Sequence, residues 1–176
     1  MAEPHEVLNE LDAEAARAAL RRCCGAERWV DALLAARPFA STAALHERAL
    51  SAWNGLAASD YLQAFSHHPQ IGEDLAELRR RFAATHALSA REQAGVNGAD
   101  EATLLALREG NRAYRERFGH IFIVCATGKS AAEMLALLRQ RLGNDPSAEL
   151  TIAAAEQAKI TRLRLDGLGT GVPAAR

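Results

Sequence analysis

His67-His68-Pro69 is the stretch of this chain whose residue types most directly offer chemistry. A loop imidazole with a pKa of about 6.5 can give or take a proton at neutral pH. Adjacent side chains point in different directions, so one of the two histidines serves any given site. The plain alternative is a pair of polar loop residues. Downstream, Glu92 follows Ser89 by three positions, with Gln93 beside it. That spacing is a capping box, in which the glutamate bonds back to the N-cap amide. It also places a carboxylate, a hydroxyl and an amide together at a helix start, where a ligand can meet them. Ser130 and Glu133 repeat the box with no histidine loop near, which weighs on the side of the structural role.

Two further groups bear on anions. Ile121 to Ala126 runs into Thr127-Gly128-Lys129-Ser130, letters that suggest a phosphate loop. The full motif needs a glycine at 123, and Ile123 stands there, so that reading fails. An extended segment entering a helix can still present backbone N–H groups to an oxyanion or carboxylate, or it is simply a buried connection. Arg162 and Arg164 lie two apart on one helix and cannot face the same way. One belongs to solvent and the other can turn inward to an anion.

Metal chemistry has little footing. The histidines at 5, 46, 67, 68, 86 and 120 form no HExxH or comparable pair, and Cys23-Cys24 lacks the spacer of a zinc knuckle. Three cysteines, two of them adjacent, make no disulfide framework and point to a reducing, cytoplasmic setting. Lys plus Arg total 21 against 22 for Asp plus Glu, a balance with no global pull toward nucleic acid or an anionic membrane. Arg79-Arg80-Arg81 reads as a solvated face. No apolar run approaches the about 20 residues of a membrane helix, and the acidic start MAEPHEVLNELDAE lacks the pattern of a signal peptide.

The elements that must position these groups are helical. The chain has 176 residues, 49% hydrophobic but only 5% aromatic, so alanine carries much of the apolar content and favours helix. Apolar residues recur at three- and four-residue spacings over Asp12 to Cys24, Glu27 to Ala36, a helix N-capped by Ser41, and one starting near Ser59 or Asp60. Leu75, Leu78 and Phe82 resume the period to about Ala87, and the Ser89 box opens another helix. Gly95 and Asn97-Gly98 interrupt, so the next helix is expected over Ala102 to Phe118. Helices from Ser130 to Leu142 and from Asn144-Asp145-Pro146 to about Leu168 complete an all-α chain of about eight helices. Ile121 to Ala126 is its one short extended segment. Residues 1–176 read as a single domain with a core over about 15–168 and a frayed tail from Gly169. Trp29, Trp53, Phe65 and Phe118 belong to the core.

In order along the chain, these pieces resemble the family of 2-oxo-4-hydroxy-4-carboxy-5-ureidoimidazoline (OHCU) decarboxylases of urate breakdown. The resemblance rests on Cys23-Cys24 with Trp29, Arg37-Pro38-Phe39, Ala64-Phe65 and His68-Pro69-Gln70-Ile71-Gly72. It continues through Ser89-x-x-Glu92-Gln93-Ala94-Gly95, Asn111, Tyr114 and Arg117-Phe118-Gly119. It ends with Phe122 to Ala126, Arg141-Leu142-x-Asn144-Asp145, Glu156, Lys159-Ile160 and Leu163-Arg164-Leu165. The resemblance implies an all-helical decarboxylase without cofactor or metal, commonly a homodimer, that turns OHCU into (S)-allantoin and carbon dioxide. By it, His68, Glu92 and Arg164 are the expected catalytic residues. Pro69, Ser89, Gln93 and the Phe122, Ile123, Val124, Cys125 and Ala126 segment are the expected substrate-binding ones. The competing expectations are a non-enzymatic helical module holding a small anion, and a metal-dependent hydrolase built on His67, His68 and His86.

Overall fold

A computed structural model describes residues 2–68, 74–76, 78–80, 82 and 97–170. Among the described residues eight α-helices have defined bounds, with one 3-10 turn and no strand, which confirms the all-α class. In chain order these are α1 (Pro4–Glu10), α2 (Ala13–Cys23), α3 (Glu27–Ala35), α4 (Thr42–Asn54) and α5 (Ala58–Ser66). They continue with α6 (Asn97–Phe118), α7 (Ala131–Leu142), α8 (Pro146–Gly167) and the 3-10 turn Leu168–Thr170. Residues 75, 76, 78–80 and 82 are helical as well. No helix among the described residues is long and apolar enough to cross a membrane.

The caps sit where the sequence places them. Asp12 accepts from the Ala15 amide at 2.8 Å, and Ser41 accepts from Ala44 at 3.1 Å. Asp145 takes the Ser147 amide at 2.9 Å ahead of α8, whose first residue is Pro146. At α5 the capping carboxylate is Asp60, which reaches back to the Ala57 amide at 3.0 Å, so the helix opens one residue earlier than its Ser59 signal. Asn97-Gly98 does not interrupt a helix; it starts α6, which begins five residues before the expected Ala102. The first turn lacks intrahelical N–H bonds in any helix, so poor helix formers are tolerated best there. Ahead of the expected core, α1 is a formed helix with Leu8 fully buried.

The described residues group into two compact units, one running to His67 and resuming at Ala154, the other His68–Ala153. In the first, Leu20, Trp29, Leu33, Leu45, Trp53 and Phe65 form the interior. Both indoles are buried with their N–H groups satisfied, Trp29 on the Ala49 carbonyl at 2.9 Å and Trp53 on that of Ala154 at 3.0 Å. Gly169 lies against the chain start, where a β-carbon would stand 2.5 Å from the Ala2 carbonyl oxygen. In the second unit Leu78, Phe82, Leu104, Leu107, Tyr114, Met134, Leu135 and Leu138 pack together. Gly110 lets α6 meet α7 closely, since a β-carbon there would lie 2.6 Å from Leu138 Cδ2.

Candidate functional site

Within the first unit, the short connection between α2 and α3 gathers two of the groups singled out above. Helix α2 ends with carbonyls that have no intrahelical partner. Arg164 Nη1 donates to two of them, Arg22 and Cys23, each at 3.4 Å. A cation at a helix C-terminus is also the favourable sign for the helix dipole. Arg162 is exposed, whereas Arg164 is half-buried, so Arg164 is the inward arginine of the pair. Burial pulls its pKa down, partly offset by the neighbouring Cys23 and Cys24 sulfurs. Among the described residues no carboxylate pairs with it. The same burial pushes the Cys23 thiol up to about 12 and the Cys24 thiol up to about 11; a bond to Thr161 pulls Cys24 the other way. On the same connection Gly25 lies against the ring of His67, whose Nδ1 is 2.9 Å from the Gln63 carbonyl.

His67 is exposed, and the bend at His68 begins the second unit with its side chain half-buried. Pro69, Ser89, Glu92 and Gln93 lie outside the described residues.

The second unit holds the 121–126 segment, which is neither helix nor strand. Phe122, Val124 and Ala126 all pack on the α6–α7 core, the alternation expected of extended backbone. Ile123, between them, is buried. The carbonyls of the intervening residues are engaged by side chains: Ile123 by Arg141 Nη1 and Cys125 by Lys129 Nζ, both at 2.8 Å. Lys129 thus serves its own backbone, in keeping with the failed phosphate-loop reading. The following helix closes its own start, with Ser130 and Glu133 bonding reciprocally at 2.7 and 3.2 Å.

Behind the segment lies a polar cluster that sequence reasoning missed. Glu149 is fully buried, and Arg141 is 6% exposed. Arg141 Nε donates to Glu149 Oε1 at 2.7 Å, Asn144 Nδ2 to Oε2 at 2.8 Å, and the Tyr114 hydroxyl to Oε1. Burial raises the carboxyl's pKa, but these donors outweigh it and hold it below its usual range. Burial and the bond to Glu149 push the Tyr114 hydroxyl far up, so it stays protonated. The guanidinium also lies over the Phe122 ring at 4.6 Å. Tyr114, Arg141 and Asn144 all belong to the motif pieces quoted above; Glu149 does not, because an acid in the first turn of a helix is unremarkable in sequence.

Comparison with known proteins gives one answer. A family model described as OHCU decarboxylase matches residues 9–166. The chain is 38% identical to the uric acid degradation bifunctional protein TTL of Arabidopsis thaliana over 143 residues, covering 81% of this chain and 44% of that one. It is 34% identical to the OHCU decarboxylase of Amia calva over 57% of each chain, and 34% identical to that of Mus musculus over 80% of this chain and 78% of that one. The chain therefore spans roughly half the length of the first two of these relatives. Among solved structures, a crystal structure of OHCU decarboxylase in the presence of (S)-allantoin superposes with TM-score 0.68 at 32% identity, covering 91% of this chain and 99% of that one. A crystal structure of (S)-allantoin synthase, 18% identical, matches in fold with TM-score 0.66 over 95% of this chain and 54% of that one. This chain belongs to the OHCU decarboxylase family.

Proposed function

We propose that this protein decarboxylates OHCU to (S)-allantoin without metal or organic cofactor, with residues 1–176 acting as one functional domain. The observation that carries this reading is Arg164, a half-buried cation whose partners among the described residues are neutral carbonyls. A partly desolvated guanidinium that meets only neutral acceptors among the described residues suits an anionic ligand. The family match supports OHCU as that ligand.

Loss of carbon dioxide breaks the bond between the ring carbon and its carboxyl, and the electron pair enters the neighbouring ring carbon–nitrogen double bond. The ring nitrogen that receives the pair takes up a proton; protonation of the ureido-bearing carbon on one face, with loss of the 4-hydroxyl proton, then gives allantoin as a single enantiomer. In this reading His68 bonds the 4-hydroxyl and orients the leaving carboxylate. Arg164 and backbone amides of Phe122 to Ala126 stabilise the negative charge as it delocalises. Glu92 holds ring or ureido N–H groups and assists proton delivery, and Pro69, Ser89 and Gln93 complete the contacts. We further read the enzyme as a cytoplasmic homodimer, which light scattering of the purified protein tests for assembly.

The deciding experiment follows circular dichroism while urate oxidase and hydroxyisourate hydrolase convert urate, with and without this protein. OHCU decays unaided to racemic allantoin, so optical sign is a cleaner readout than rate. Rapid appearance of the (S)-allantoin signal with chelator present is the expected result. Slow decay to optically silent product would overturn the assignment in favour of a binding module; activity only with added metal would favour the hydrolase.

A further inference from the structure

The Arg141–Glu149 pair is buried in the second unit, away from any solvent role for either charge. Burying two charges is expensive, and a well-packed apolar pair of equal volume is commonly as stable or more so. A pair kept under those conditions calls for a reason other than stability. Its geometry provides one, because the guanidinium fork is divided between two tasks. Nε and Nη2 hold Glu149 Oε1 at 2.7 and 2.6 Å, while Nη1 holds the carbonyl of Ile123 at 2.8 Å. Asn144 fixes the other carboxylate oxygen of Glu149, Oε2, while the Tyr114 hydroxyl shares Oε1 with Arg141. Tyr114 in turn meets the Phe122 ring edge-on, with centroids 5.1 Å apart. The cluster therefore grips residues 122 and 123 by ring, charge and carbonyl.

We propose that Arg141, oriented by Glu149, is a positioning residue that sets the register of the 122–126 backbone and so decides which of its groups meet the substrate. This rests on the reading that the segment binds OHCU. In extended backbone the N–H and C=O groups of successive residues point to opposite edges, so turning the Ile123 carbonyl onto Arg141 commits its neighbours to the other edge. Lysine in place of Arg141 keeps the charge for Glu149 but lacks the planar fork needed to hold the Ile123 carbonyl as well.

The test compares wild type, Arg141→Lys, Tyr114→Phe and, as a surface control, Arg112→Lys, by thermal midpoint, kcat, KM and the optical purity of the allantoin formed. Arg141→Lys is expected to fold, to lose about tenfold or more in kcat of the folded protein, and to release allantoin of lower optical purity. The amide resonances of Ile123 and Val124 should shift, and Arg112→Lys should match wild type. A merely structural role predicts a lower midpoint with kcat and optical purity of the folded fraction unchanged, and that outcome overturns the proposal. If Arg141→Lys does not fold, Tyr114→Phe decides, with a severalfold loss in kcat supporting the proposal and an unchanged kcat overturning it. Inactive wild-type protein would sink the decarboxylase reading and this inference together. Active wild type with unaffected variants would sink this inference alone.

Discussion

The ring of His67 rests on Gly25 so closely that a β-carbon built on the glycine would stand 2.3 Å from His67 Cγ and 2.6 Å from its Cβ. Cβ is anchored to the backbone, so the ring cannot simply swing away; the turn leading into His68 must move. Gly25→Ala is therefore expected to destabilise by about 1–3 kcal/mol, as overpacking does, and to lower decarboxylation by displacing His68. Only removing both the ring and its Cβ relieves the clash, so the Gly25→Ala/His67→Gly double variant should recover much of both losses. A double-mutant cycle in thermal midpoint and kcat checks this; simple additivity would contradict it.

Arg162 and Arg164 should separate cleanly in kinetics. Removing a donor aimed at developing negative charge costs about 3 kcal/mol, roughly a hundredfold in rate. Arg164→Ala is expected to lose that much in kcat/KM, whereas the exposed Arg162 replaced by alanine should stay within about twofold of wild type. Comparable losses in both would place the charge of the helix, and not the geometry of Arg164, at the root of the effect.

The two buried thiols should be inert while the protein is folded. Burial lifts Cys23 from 9.0 to about 12 and Cys24 to about 11, which withholds the reactive thiolate at neutral pH. Native protein treated with iodoacetamide should carry label on the half-buried Cys125 before either of them, as read by peptide mass spectrometry. The same shifts make an alkaline prediction. The unfolded chain gives up these protons first, so their contribution to stability is full below pH 9.0 and is lost as pH rises toward the folded values of about 11 and 12. Cys23→Ser and Cys24→Ser variants should show a flatter alkaline limb in denaturant melts.

Glu149 makes the opposite prediction at acid pH. Its folded pKa lies below the usual 4.5, so its unfolded form holds the proton more tightly. The stabilisation is present above pH 4.5 and is lost as pH falls through the folded value. Urea melts from roughly pH 3 to 7 should show a steep acid limb that flattens in Glu149→Gln, which has no proton to bind there. Glu149→Ala leaves Arg141 buried and unpaired, a change that typically costs about 3–5 kcal/mol.

What the sequence alone determined is what neighbours in the chain decide. Asp12, Ser41, Ser130 with Glu133, and Asp145 with Pro146 were legible as helix starts because a cap bonds an amide two or three residues away. The break at Ile121 to Ala126 was legible from its β-branched run, and the family from motifs in order along the chain. Asn97-Gly98 misled because the same dipeptide serves a turn or a first helical turn, and only the packing of α6 chooses between them. Which arginine turns inward was left open by a spacing that separates the two without ranking them; the free carbonyls of Arg22 and Cys23 decide it, 142 and 141 positions away in sequence. In sequence Glu149 is an acid in a helix's first turn like any other, and only Tyr114, 35 positions before it, and Arg141, eight before it, turn it into a buried anchor. Local hydrogen bonds are written in local sequence, whereas the pairing of a buried charge is settled by whichever distant groups the folded chain brings to it.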